Sequence, residues 1–360
     1  MTLPQAFVAG LHLRWDGVWQ RPHHLLSRLA RRVPVVVIEE PLAGEDDRDE
    51  ITHDGNVTIV RPVRRRGWSL PFVDGAAIAT ARGLIDASRE AVGVWLYTPM
   101  MLELADAFAA APLVFDCMDE LAAFDGAPAG IGERDRALVA RADVVFTGGV
   151  SLYERRKSAG AKVRCYPSGV EFERFASDVA PHPLPAELRS PVFGYVGVID
   201  ERMDIAILTA LADAFPHGHI VLVGPVVKID PAVLPRRPNI HFTGIQPYAS
   251  LPSFLSGIDV AIMPFARNRA TENISPTKTL EYFAARRPVV STPIPDVVRQ
   301  YADSAFIADG TPAFVAAARA ALQPDPARIA RGEAAARAQS WDAIAERMWH
   351  DLASVPAGSR

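Results

Sequence analysis

Cysteine is nearly missing from this chain: 360 residues contain two, Cys117 and Cys165, and no C-x2-C pair. That excludes a disulfide framework and the usual zinc spacings, and predicts two buried thiols in a reducing compartment. No H-E-x-x-H, P-loop or G-x-S-x-G occurs, so the common zinc-protease, phosphate-loop and serine-hydrolase signatures are absent. No apolar run reaches about 18 residues, the length a membrane-spanning helix requires. Neither sign of charge dominates: 38 basic residues face 42 acidic ones, a formal net charge of -4, which gives no argument for nucleic acid as a partner. Residues 1–10 lack the basic opening and long apolar core of a signal peptide, so a soluble, cytoplasmic protein is expected.

What is present is a repeating alternation. Short apolar, β-branched runs at 5–10, 34–39, 57–62, 92–98, 113–117, 144–147 and 163–166 read as strands. Helical periodicity at 22–31, 76–91, 101–110, 134–142 and 151–159 lies between most of them. Such alternation is the pattern of a parallel sheet covered by helices. The stretch Ala180-Pro-His-Pro-Leu-Pro185 reads as a linker. Beyond it the pattern restarts, with strands at 192–199, 220–224, 240–243, 260–263, 289–291 and 305–307 and crossover helices at 204–215 and 251–255. An α/β chain of two domains is expected, one over 1–180 and one over 186–338, with a cleft between them at the C-terminal ends of their strands. In the segment 340–360, Trp341, Ile344, Met348 and Leu352 share one stripe, as in a helix packing back on the first domain.

The most informative stretch is Thr271-Glu-Asn-Ile-Ser-Pro-Thr-Lys-Thr-Leu-Glu-Tyr-Phe-Ala-Ala285. Ser275 is placed as a helix N-cap and Pro276 as the first helical residue. Leu280, Phe283 and Ala284 then fall on one face. Lys278 lies in the first turn, where the helix dipole disfavours a cation by a few tenths to about 1 kcal/mol. An anion held between the lysine and the free N–H groups removes that conflict, which points to a nucleotide diphosphate.

Four further pieces accompany this stretch in order: Gly194-Tyr-Val-Gly197, Val221-Leu-Val-Gly224-Pro225, His241-Phe-Thr-Gly244 and Ile258-Asp-Val-Ala-Ile-Met-Pro264. Together they resemble the donor domain of GT-B glycosyltransferases, in the group with an E-x7-E element. The resemblance implies two Rossmann-like domains facing each other across a cleft, with acceptor bound by the first and nucleotide sugar by the second. It implies that Glu281 accepts hydrogen bonds from the ribose diol, for which a carboxylate has the acceptor oxygens. Ser275, Pro276, Thr277 and Lys278 would cradle the diphosphate beside the Gly197 loop, and Gly244 and Ile245 would meet the nucleobase. The sequence departs from the group at two places. Asn273 stands where a glutamate usually contacts the transferred sugar, with Glu272 adjacent; it can bond a hydroxyl but carries no charge. Val198 follows Gly197 where an arginine is common, which leaves Arg202 as the candidate for the second positive charge.

In the first domain, the loop His12-Leu-Arg-Trp-Asp-Gly-Val-Trp-Gln-Arg-Pro-His-His24 gathers aromatic and cationic side chains at a strand-to-helix turn. It resembles a Trp-Gln-Arg-Pro-x-His element of bacterial polysaccharide-assembly transferases, which implies that Trp15, Trp19, Gln20, Arg21 and His23 touch the acceptor. Aromatic faces suit sugar rings. Asp119, after the strand at 113–117, is the candidate carboxylate to orient the acceptor or act as base. Arg64, Arg65 and Arg66 are a candidate contact for anionic lipid on the inner face of a membrane, each contributing about 1 kcal/mol near such a surface. Asp47-Arg48-Asp49 matches D-x-D in form, but in the acidic run 45–50 it reads as solvated loop.

The expected activity is transfer of a sugar from a nucleotide-diphosphate sugar to a glycan or lipid-linked acceptor, in cell-surface polysaccharide assembly. Asp119, Arg202 and Lys278 are its candidate catalytic groups. The nucleotide sugar is a co-substrate; no metal and no other cofactor is expected, and the resemblance implies retention at the anomeric carbon. Two alternatives stand beside it: a GT-B sugar-nucleotide epimerase, and a binding protein that has lost catalysis, suggested by Asn273 and Val198.

Overall fold

The computed structural model describes residues 3–65, 72–85, 91–109, 111–160, 162–188 and 190–354. The chain divides into two units, Met1–Pro167 with Asp342–Arg360, and Ser168–Trp341.

The first unit is built on strands β1 (Ala6–Leu11), β2 (Val35–Glu39), β3 (Leu42–Ala43), β4 (Arg48–Asp54), β5 (Val57–Arg64), β6 (Val92–Leu96), β7 (Leu113–Cys117), β8 (Val144–Thr147) and β9 (Val163–Cys165). They run in the order β3-β5-β2-β1-β6-β7-β8-β9, parallel throughout, with β4 antiparallel on the outside of β5. β1, β2, β7 and β8 are buried along their whole length, which is why they read as unbroken apolar runs. Helices α1 (Arg21–Leu29), α2 (Gly75–Leu84), α3 (Glu103–Ala107), α4 (Ile131–Arg141) and α5 (Val150–Arg156) connect them. Three expectations need correction here. The run 45–50 is not all loop: Arg48 opens β4, whose mostly polar, exposed residues hide the strand pattern, as befits an edge. The helix expected at 101–110 shrinks to a 3-10 turn at Pro99–Met101 and the short α3. Of the helix expected at 76–91, Gly75–Leu84 is formed, and 86–90 lie outside the described residues.

The second unit has strands β10 (Val192–Val196), β11 (His219–Val223), β12 (Ile240–Phe242), β13 (Val260–Met263), β14 (Val289–Ser291) and β15 (Phe306–Ile307), all parallel, in the order β12-β11-β10-β13-β14-β15. That is the doubly wound Rossmann order, with its topological switch between β10 and β13. Its helices are α6 (Phe172–Phe175), α7 (Pro183–Glu187), α8 (Ile205–Ala214), α9 (Leu251–Ser256), α10 (Thr277–Ala284), α11 (Pro295–Tyr301), α12 (Thr311–Ala321) and α13 (Pro326–Ala338). The division falls at Pro167–Ser168, ahead of the proline-rich stretch, because Val170, Phe172 and Phe175 already belong to the second core. The stretch itself turns into α7, with His182 Nδ1 accepting from the Leu184 N–H.

Helix α14 (Trp341–Ser354) carries the chain back to the first unit. Trp341, Ile344, Met348 and Leu352 are buried on one face. Arg28 and Arg31 of α1 hold Asp342 at 3.0 and 2.8 Å. Among the described residues no helix is long and apolar enough to cross a membrane.

Candidate functional site

The switch point of the second unit puts the C-terminal end of β10 beside the loop that follows β13, the place where open α/β sheets receive ligands. Two glycines shape its floor. Gly197, at the end of β10, has φ +146°, and Gly224, at the end of β11, has φ +144°. A Cβ on Gly224 would lie 2.1 Å from the Gly197 carbonyl oxygen, so the two backbones touch and no larger residue fits. Gly244, φ +69°, bridges to Gly224 from the far side and leaves Ile245 exposed. Tyr195 ties the loop back, its hydroxyl donating to the Val198 carbonyl at 2.7 Å.

Helix α10 is fixed against this floor by Tyr282. Its buried hydroxyl accepts from the Val196 N–H at 2.8 Å and donates to the Val196 carbonyl at 3.3 Å. The helix starts one residue later than expected. Pro276 is the N-cap, no side chain caps the first turn, and the carbonyl of Ser275 instead accepts from Ser168 Oγ at 2.9 Å. Lys278 folds back over the loop: its Nζ lies 5.3 Å from the ring centres of both Tyr195 and Phe265, and a Cβ on Gly197 would meet its Cε at 2.8 Å.

Glu281, one turn on, is 8% exposed. Burial pushes its carboxyl up to about 7; Lys278 pulls it down and Glu171 pushes it further up. Glu171, at the start of α6, is paired with Arg174 at 2.8 Å, and the Arg174 guanidinium sits 5.1 Å from the centre of the Tyr248 ring. Tyr248 is raised in turn, by burial and then by the charges of Glu281 and Glu171. An uncapped helix start, a cation and a buried acceptor thus lie along one helix, a set able to receive an anion and a diol. Asn273 is buried just ahead of it, and Ser275, Pro276 and Thr277 are half-buried.

Arg202 is a correction. It forms a bidentate pair with the buried Asp200, Nε to Oδ1 at 2.9 Å and Nη2 to Oδ2 at 2.6 Å, which locks the turn after β10. Its guanidinium charge is matched there by Asp200, which the expectation of a charge aimed at the phosphates did not foresee.

In the first unit, the loop after β1 is built largely for its own fold. Arg21, buried, donates from Nε to the buried Asp116 at 2.9 Å and from Nη1 to the Tyr166 carbonyl at 2.7 Å. Burial raises the Asp116 carboxyl against the pull of Arg21, with the Tyr97 hydroxyl and Trp95 indole beside it. His23 is fully buried: Nδ1 accepts from the Gln20 N–H at 3.0 Å and Nε2 faces the Arg14 carbonyl at 3.3 Å. Burial also lowers its pKa, so the ring is neutral. Trp15 is buried and donates to Asp54 at 2.9 Å, while its backbone N–H donates to Glu39 at 2.6 Å. Arg21, His23 and Trp15 are thus buried and bonded to the protein's own groups, where partial exposure to an acceptor was expected. Trp19, stacked 5.0 Å from His23, and Gln20 keep partial exposure, as does Asp119 after β7.

The basic run is a further correction. Arg64 pairs with Asp49 at 2.8 Å and with Asp74; Arg65 pairs with Asp46 at 3.0 Å, and its N–H donates to Asp47 at 2.7 Å. The charge expected to face lipid is neutralised by the acidic run beside it, and Arg66 lies outside the described residues. Cys117 is buried as expected, whereas Cys165 is half-exposed. Sequence reasoning passed over Ser168, Glu171 and Glu201. Only the sequence Ser168-Gly-Val-Glu171, polar residues set in an apolar context, offered a signal.

Comparison with known proteins agrees with this layout. Residues 190–324 match the family model described as glycosyl transferases group 1. The putative teichuronic acid biosynthesis glycosyltransferase TuaH of Bacillus subtilis (strain 168) is 27% identical over 243 residues, 62% of this chain. The match spans 60% of that relative's length. Sucrose-phosphate synthase from Thermosynechococcus elongatus superposes with a TM-score of 0.75 at 16% identity, covering 98% of this chain and 100% of that one. An E. coli structure described as trehalose-6-phosphate bound with UDP-2-fluoro glucose gives 0.72 at 13%, covering 98% and 99%. At such identities these two speak for the fold, and the family match for the second unit. Residues 190–324 are thus similar to the group 1 glycosyl transferases, and the chain has the GT-B fold of two Rossmann-like domains.

Proposed function

We propose that the protein is a nucleotide-sugar glycosyltransferase that delivers a sugar to a glycan or lipid-linked acceptor in the assembly of a cell-surface polysaccharide. In this reading the second unit holds the donor and the first receives the acceptor, with Asp119, Trp19 and Gln20 as its contacts. The observation that carries it is Lys278 in the first turn of an uncapped helix, with buried Glu281 one turn later, inside the segment that matches the family. As the sugar leaves, negative charge builds on the departing diphosphate, and fixed positive groups aimed at it lower the barrier. Lys278 and the N–H groups opening α10 would supply that stabilisation without a metal ion. Retention at the anomeric carbon belongs to the same proposal and rests on the family resemblance. Support for the acceptor class comes from the teichuronic acid relative, and for a UDP-linked donor from the UDP-2-fluoro glucose in the E. coli structure.

Calorimetry tests the central step. UDP, GDP, ADP and dTDP are titrated into the full chain and into Lys278→Ala, with melting temperature as the folding control. The matching diphosphate should bind about 10- to 100-fold more weakly to the variant, the range for a lost charged hydrogen bond. Equal affinity, or no binding of any of the four to the natural chain, overturns the reading. For the finer statements, donor turnover should survive EDTA, and the product's anomeric configuration read by NMR should match the donor's.

A further inference from the structure

Glu201 is a carboxylate in an unusual position. Both of its side-chain oxygens are shut off from solvent, and neither accepts a hydrogen bond from any of the described residues. Removing a carboxylate from water without donors is costly, and native folds avoid it unless a donor arrives by another route. Its neighbours do not relieve it. Asp200 and Arg202, on either side, are joined to each other by the bidentate pair, and Met203 N–H closes the turn on the Asp200 carbonyl at 2.9 Å.

The turn is stitched to the segment that leads into α10. Asn268 Nδ2 donates to the Glu201 carbonyl at 3.0 Å, the Ala266 N–H donates to the Arg202 carbonyl at 2.7 Å, and the Asp204 N–H donates to the Pro264 carbonyl at 2.8 Å. Met203 and Phe265 bridge between the two strands of chain. Thr271 rigidifies that segment through the Ala266 carbonyl at 2.6 Å and Asn268 Oδ1 at 3.1 Å. The backbone of Glu201 is therefore held against residues 264–271, a few residues before the start of α10. Its oxygens accept and do not donate, so the missing partner is a donor: a pair of hydroxyls, or a cation. A diphosphate on that helix start has two ends, one leading to the ribose near Glu281 and one carrying the sugar.

We propose that Glu201 is a sugar-binding carboxylate, accepting hydrogen bonds from hydroxyls of the hexose on the nucleotide donor and so setting which sugar the site takes. The inference rests on the donor reading above, and its test separates the two. The full chain, Glu201→Gln and Glu201→Asp are titrated with UDP and its glucose, galactose, N-acetylglucosamine and glucuronate conjugates, and with GDP and GDP-mannose. In the natural chain one conjugate should bind more tightly than its own free diphosphate. Glu201→Gln should weaken that conjugate about 10-fold or more, while the free diphosphate stays within about twofold; loss of one charged hydrogen bond has this size. Glu201→Asp, which keeps the charge on a shorter arm, should restore part of the loss. If neither variant folds, the natural chain decides. Absence of any conjugate bound better than its diphosphate, or loss of conjugate binding in EDTA, which would mark a metal between carboxylate and sugar, overturns the proposal. Equal weakening of conjugate and diphosphate in the variants does so as well. Failure of every diphosphate to bind takes down the donor reading first, and this inference with it.

Discussion

Two loops in this protein follow the first strand of a doubly wound sheet and carry a comparable mix of charge, yet they treat it in opposite ways. After β1, Arg21 meets Asp116, Arg14 meets Glu39 at 3.2 Å, and the neutral His23 is wedged between two backbone groups. After β10, Asp200 and Arg202 cancel, but both carboxylate oxygens of the half-buried Glu201 are shut off from solvent with no partner among the described residues, and Glu281 of α10 carries a carboxyl pushed up to about 7. Residue type does not distinguish them. Completion does: after β1 most of the buried charge is paired, with one Asp116 oxygen left over, and after β10 both Glu201 oxygens are left without a partner among the described residues.

The contrast can be tested by removing a group from each side. The largest effect is expected from Arg21→Ala, which strands Asp116 in the core; breaking a buried pair costs roughly 3–5 kcal/mol, and the melting temperature should fall by several degrees or more. UDP affinity of any protein that remains folded should be unchanged. A small thermal effect would show that the first loop is not the self-contained structure described here.

Glu281→Gln should act the other way, on ligand and pH. The folded carboxyl is raised above its unfolded value, so its contribution to stability is present in acid and disappears as pH rises through about 7. The glutamine variant should therefore melt higher than the natural chain at pH 8 and show no such gain at pH 5. Binding follows the ionised form: UDP affinity of the natural chain should rise from pH 6 to pH 8 beyond the rise seen in the variant. Parallel pH profiles would remove Glu281 from the ribose. The smallest effect is expected from Arg65→Ala. Its partner is an exposed aspartate, and surface pairs contribute about 0–1 kcal/mol. Sedimentation with phosphatidylglycerol vesicles should not distinguish it from the natural chain, and a clear loss would restore the lipid contact.

Much of the fold could be read from the sequence because buried parallel strands are unbroken apolar runs, as at 35–39 and 220–223. β4 escaped because an exposed edge strand needs no apolar alternation. The Lys278–Glu281 pair was visible since a cation in a first helical turn contradicts the local dipole. The fates of Arg21, Arg64 and Arg202 were not visible, because their partners Asp116, Asp49 and Asp200 are set by strand order, hairpin pairing and a tight turn. Charge in a sequence announces that something must be balanced, and only the fold says whether protein or ligand does it.

Helix α14 has a consequence for how the protein is made. A ribosome finishes all of Ser168–Ser340 before the segment that seats Ile344, Met348 and Leu352 emerges, so the half translated earliest is completed last. Grafting 341–354 onto 1–167 should let that half mature without the intervening 173 residues, and would show how far assembly depends on the order of synthesis.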